Sequence, residues 1–157
     1  MSGGEPREDL AWRRLQTEAM LMFSRVHQQV LRQTTQRLEE AGIRGITPAQ
    51  ANALIVLFNA RGAINAQALA AELGVSEVTV SRLLRRMEED GWVERTPDPA
   101  DRRAMLLRTT PMARAMFHRL VQVSNRVLDD LFGDLSREEL RTLTELVGVV
   151  QEGLGRG

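Results

Sequence analysis

The chain has 157 residues, 43% apolar and 27% charged, with 12 Gly and 5 Pro, which suits one domain with a single cooperative core and excludes a disordered, collagen-like or low-complexity polymer. Its 21 basic and 21 acidic residues cancel, so the overall charge points to no nucleic-acid partner and any basic surface has to come from clustering. With no Cys there is no disulfide, thiolate metal site, iron–sulfur cluster or thiol nucleophile; the longest apolar run, 53–58, is far below the roughly 20 residues of a membrane helix, and residues 1–6 are too polar for a secretory signal, so a cytoplasmic protein is expected.

Over 10–40, Leu15, Ala19, Met22, Val26, Val30 and Leu38 keep mostly three- and four-residue steps without Gly or Pro, which predicts one long helix preceded by a loose nine-residue tail. Gly42 and Gly45 end it. Thr47-Pro48-Ala49-Gln50 then combines an N-cap Thr, a Pro at the first helical position and a Gln that completes a capping box, opening a helix to about Ala60. Asn65 caps a short helix that stops at Gly74. Ser76 caps the next, which turns Val80, Leu83, Leu84 and Met87 inward and ends at Gly91. Residues 92–95 and 104–109 read as strands around a Pro- and charge-rich stretch, a β-hairpin with a polar tip. Thr110-Pro111 opens a helix through Leu131, and Ser136-Arg137-Glu138-Glu139 is a capping box for a last one. The expected fold is mainly α with a small β-hairpin.

Residues 66–85, AQALAAELGVSEVTVSRLLR, carry the pattern of a helix-turn-helix. Leu69, Ala70 and Leu73 line its first helix, with Ala70 small enough for a close crossing. Gly74 supplies a left-handed turn, Val75 is expected to plug that turn, and Val80 and Leu83 seat the second helix. The opposite face of that second helix offers Ser76, Thr79, Ser81, Arg82, Arg85 and Arg86. Arg takes guanine O6 and N7 bidentately, and hydroxyls and Arg hold phosphates, so these are candidate DNA-binding residues. Glu88, Glu89 and Asp90 at its far end would repel phosphates, which confines the approach to the N-terminal two-thirds. At the hairpin tip, Asp101, Arg102 and Arg103 complete the candidate set. Asp101 and Arg103 lie two apart on one side of a strand, a spacing that allows an ion pair to orient one guanidinium in a minor groove.

From residue 10 to 154 the sequence resembles the MarR family of bacterial winged-helix transcription factors, in its order of elements, in LAAELGVSEVTVSRLLRRMEEDGWVER and in DPADRRAMLLRTT. The family's wing signature is Asp-x-Arg, five residues, then Leu-Thr; Asp101, Arg103 and Thr110 match it, Thr109 stands where Leu is expected, and Ala113 replaces a Gly often found early in the next helix. The resemblance implies a single MarR-like domain over 1–157. Residues 76–86 would form the recognition helix, Arg103 a wing-tip contact, 47–109 a winged helix-turn-helix lobe, and 10–41 with 110–154 the dimerisation helices. Apolar stripes on those outer helices, more than one chain's core can cover, argue independently for a homodimer.

The family's response to small phenolic or carboxylate compounds implies an aromatic or carboxylate effector. Arg25, His27 and Arg61 are its candidate contacts, although a half-buried, hydrogen-bonded His27 is the plainer reading. Trp12 lacks a matching acid, since 47–62 contains no Asp or Glu, which disfavours the urate-responsive branch. The absence of Cys excludes the thiol-oxidation branch. His27 and His118 are the sole histidines, and no HExxH, phosphate-binding Gly loop or nucleophile elbow occurs, so neither enzyme chemistry, a metal nor a cofactor is expected. The expected function is a sequence-specific, ligand-responsive repressor that binds a pseudo-palindromic duplex operator as a homodimer. The rival is a winged-helix interaction module that holds a protein and reads no DNA.

Overall fold

The computed structural model describes residues 5–101 and 103–155, with side chains from Asp9 onward, so Arg102 lies outside the described residues. Six helices and one hairpin follow in the order α1 (Glu5–Glu40), α2 (Pro48–Asn59), α3 (Ala66–Leu73), α4 (Glu77–Glu89), β1 (Val93–Pro97), β2 (Met105–Thr109), α5 (Pro111–Phe132) and α6 (Arg137–Leu154). α1 therefore begins five residues before the expected start. Pro6 falls in its first turn, where the N–H that proline lacks has no helical acceptor anyway.

The helix starts form as local chemistry requires. Thr47 and Gln50 exchange both bonds of a capping box, as do Ser136 and Glu139, while the Asn65, Ser76 and Thr110 side chains each accept one N–H of the first turn. Both helices of the helix-turn-helix end on a left-handed Gly. Gly74 has φ 65°, and the Val75 N–H reaches back to the Ala70 carbonyl at 3.1 Å; Gly91 has φ 76°, and the Trp92 N–H reaches Met87 at 2.8 Å. Val75 does not plug the turn as expected. That six-to-one bond fixes its backbone and leaves the side chain 41% exposed.

The core lies among α2, α3, α4, the hairpin, α5 and the C-terminal third of α1. Ala53, Leu54, Leu69, Val80, Leu84, Met87 and Ala113 are fully buried in it. Ala113, where the resemblance leads to an expected Gly, is fully buried in the first turn of α5. β1 and β2 pair antiparallel from Val93 opposite Thr109 to Pro97 opposite Met105, so β1 runs two residues further than expected and the tip is confined to 98–104. A bridge missed by the sequence reading joins Ile64 to Leu107, whose N–H donates to the Ile64 carbonyl at 2.8 Å. It ties the hairpin to the loop before α3. At the other end, the Thr110 hydroxyl donates to the Gly91 carbonyl at 2.7 Å while capping α5, so hairpin base and helix start share one residue.

α5 joins the lobe to α1. Phe117 meets Phe58 of α2 edge-on, with ring centroids 4.7 Å apart, and Arg37 of α1 reaches Asp130 of α5 at 2.7 Å and Glu40 at 3.0 Å. Bonds from Gln36 and Arg37 hold the Glu40 carboxyl below its ordinary value. Beyond this clamp the helices leave the core. Every residue of α1 from 9 to 29 is exposed, and α6 buries none of its residues. No helix among the described residues is long and apolar enough to cross a membrane.

Candidate nucleic-acid interface

α4 is seated by one apolar stripe, Val80, Leu84 and Met87, all at 0% exposure, with Leu83 half-buried beside it. Fixing that face inward forces the opposite one outward. Glu77, Val78, Ser81, Arg82, Arg85, Arg86 and Glu89 line one open surface of the helix. Three of the candidate arginines are thus brought together, and all three are exposed.

Ser76 and Thr79 stand at the start of the same helix with their hydroxyls 2.9 Å apart, and the Ser76 oxygen also accepts the Thr79 N–H. That bond satisfies one free donor of the first turn, so Ser76 has a structural task besides any contact with phosphate.

The three acids at the far end of α4 are each engaged. Glu88 accepts from Arg95 of β1 at 3.0 Å, Glu89 pairs with Arg85 one turn back at 3.6 Å, and Asp90 accepts from the buried Gln50 of α2 at 2.9 Å. Two of these bonds join α4 to the hairpin and to α2, so the acidic end of the helix is tied to its neighbours while its buried stripe seats it. Sequence reasoning found the acids but not their partners, which lie 7 and 40 positions away.

At the hairpin tip the Asp101 carboxylate accepts the backbone N–H of Arg103 at 2.9 Å, and Asp98 likewise accepts that of Ala100 at 2.8 Å. The expected ion pair between Asp101 and Arg103 is replaced by this Asx turn. A short carboxylate two residues before an N–H closes such a turn readily, which fixes the loop path and leaves the exposed Arg103 guanidinium free of Asp101.

The effector candidates fare differently. His27 is exposed rather than half-buried, because the part of α1 that carries it packs on nothing within the chain, and Arg25 and Arg61 are exposed as well. None of the three lines the cleft of about 190 Å³ between α1, α2 and α5. That cleft is walled by residues such as Val30, Thr34, Asn52, Ile55, Ser124 and Leu128, and no charged side chain lines it among the described residues.

A helix-turn-helix whose second helix presents its arginines to solvent, followed directly by a two-stranded hairpin, defines a winged helix-turn-helix. Residues 44–104 match the family model described as MarR family, and the fold of the chain resembles those of solved MarR-family proteins, among them wild-type MarR of E. coli, 28% identical with a TM-score of 0.61 over 82% of this chain and 93% of the other. Over 101 residues it is 27% identical to the uncharacterized HTH-type transcriptional regulator YfiV of Bacillus subtilis, a match that covers 64% of this chain and 63% of that relative's length. A mutant MarR of E. coli, solved in complex with operator DNA, is 28% identical, with a TM-score of 0.64 over 84% of this chain and 95% of the other. CouR from Rhodococcus jostii RHA1, solved with p-coumaroyl-CoA, has a TM-score of 0.74 over 87% of this chain and 94% of its own. At 21% identity it speaks to the fold alone.

Proposed function

We propose that this chain is a homodimeric, ligand-responsive repressor that binds a pseudo-palindromic duplex operator through two copies of α4 and two hairpins. The observation that carries the reading is the outward face of α4, where Arg82, Arg85 and Arg86 stand together in solvent opposite a fully buried stripe. Such a helix fits a major groove about 12 Å wide and offers it bidentate donors. The E. coli relative in complex with operator DNA supports the same use. Ser76, Thr79 and Ser81 are assigned to phosphates or base edges, and Asp101, Arg102 and Arg103 to the wing.

The dimer follows from what the chain leaves uncovered. Trp12, Leu15, Met22, Phe23 and Val26 on α1 are each about half exposed, and on α6 Leu146, Val149 and Leu154 are exposed by 61, 64 and 79%. A second copy laid along these faces would bury them and set two recognition helices against successive major grooves, about 34 Å apart. Residues 10–41 and 110–154 are accordingly assigned to dimerisation and 47–109 to DNA. Arg25 and His27 fall in the half of α1 that the second copy would cover, so any effector contact of theirs requires that copy.

The cleft between α1, α2 and α5 sits where the arm meets the lobe, the place from which a ligand can alter lobe spacing. It suppresses binding by no more than its preference for one spacing over the other. With hydroxyl and amide groups but no charge on its wall, the cleft suits an uncharged aromatic-sized effector better than a carboxylate.

Selecting bound fragments from genomic DNA tests the whole reading. A recovered motif with two half-sites one helical turn apart, bound with an affinity that falls steeply with salt, is the expected outcome. Failure to retain any duplex at low salt overturns it in favour of a protein-interaction module.

A further inference from the structure

The outward face of α4 carries one residue whose place neither the fold nor the charge pattern requires. Val78 is 62% exposed, more than the Val75 that precedes the helix. At 100° per residue it lies one turn before Arg82, on the line that continues to Arg85 and Glu89 and directly opposite Val80, Leu84 and Met87.

None of the structural tasks of the helix falls to Val78. Its core contacts are made by the opposite stripe, and its N-terminus is capped by Ser76, whose hydroxyl oxygen accepts the Thr79 N–H. A β-branched side chain also lowers helix propensity at an exposed position, where Ala or a long polar residue would serve better. The neighbours of Val78 on this surface are Glu77, Ser81, Arg82 and Arg85, so it is a single apolar group within a polar, arginine-lined face. An apolar protein patch would call for more such groups. A major groove calls for one, because thymine's 5-methyl is the apolar group that base pairs present there.

We infer that Val78 is a specificity-determining residue that packs on the 5-methyl of a thymine, one in each half-site, next to the base pair met by Arg82. Position in the helix agrees, since the first turns of a recognition helix are the ones that reach base edges. The inference rests on the DNA-binding reading above and adds to it a base preference that the arginines do not supply.

The test uses the full chain and a duplex operator selected from a randomised pool, with each thymine replaced in turn by uracil, which removes the methyl and nothing else. Affinity is read by fluorescence anisotropy at fixed salt for the wild type and for Val78→Ala, a substitution at an exposed site whose fold is checked by circular dichroism. One symmetric pair of thymines should cost the wild type about fourfold per half-site on conversion to uracil, the worth of one buried methyl, and Val78→Ala should be indifferent to that same conversion. Salt-dependent operator binding with no cost at any thymine, or a cost undiminished in Val78→Ala, overturns this inference alone. Absence of salt-dependent binding to any duplex overturns the DNA-binding reading together with it.

Discussion

The lobe formed by α2, α3, α4 and the hairpin and the arm formed by the first two-thirds of α1 with α6 use apolar residues at similar helical spacing, yet with opposite results. In the lobe, Leu54, Leu69, Val80, Leu84 and Met87 are all wholly buried; in the arm, Leu15, Met22, Val26, Leu146 and Val150 stand about half or more exposed. The spacing guarantees only that a helix has an apolar face. Whether that face is covered depends on a partner, and in the arm one chain does not provide it.

Truncation at equal chemistry gives the largest expected contrast. Leu84→Ala removes a fully buried side chain and should lower the unfolding free energy by about 2–5 kcal/mol, whereas Leu146→Ala, 61% exposed within the chain, should leave the fold of the isolated chain nearly unchanged. Urea unfolding of both variants at a protein concentration low enough to hold monomers decides it. Equal losses would end the distinction between lobe and arm.

A charge on the arm should separate assembly from folding. Leu143→Asp is expected to weaken self-association by roughly a hundredfold in sedimentation equilibrium while helix content is retained, because an uncompensated carboxylate enters an apolar seam. A stable wild-type monomer at micromolar concentration would remove the reason given for the exposed stripes.

Changes on the polar face of the lobe should act on DNA and leave the arm untouched. Arg82→Ala is expected to cost about 1–3 kcal/mol of operator affinity in a binding titration, with the dimer intact. At the hairpin tip, Arg103→Ala and Asp101→Ala should each weaken binding several-fold. The Asx turn makes a sharper test: Asp101→Asn keeps an acceptor for the Arg103 N–H and should bind nearly as the wild type, which an ion-pair role for Asp101 would forbid.

The smallest effect concerns acid. The Ser136 hydroxyl and N–H hold the Glu139 carboxyl below its ordinary value of 4.5, so the negative form is favoured in the folded state. A depressed folded-state pKa gives stability that is fully present above the unfolded value and lost as pH falls through the folded one. The start of α6 should therefore loosen below about pH 4.5. Amide exchange in the first turn of α6 is expected to rise there in the wild type and to lose this pH dependence in Glu139→Gln.

Much of the molecule is legible in the chain because its instructions are short-range. The N-caps at Thr47, Asn65, Ser76, Thr110 and Ser136 each bond an N–H three positions on, and Gly74 and Gly91 stop helices by their own backbone freedom, so element order and the exposed arginine face follow from neighbouring residues alone. The partners of Glu88 and Asp90, the bridge from Ile64 to Leu107 and the cleft between α1, α2 and α5 join residues far apart in sequence, and no local pattern encodes which of many distant groups will meet. Val75 and His27 turned out exposed for the same reason. An apolar or half-polar side chain records a capacity for burial, whereas burial itself is a relation between elements and is decided when the chain folds.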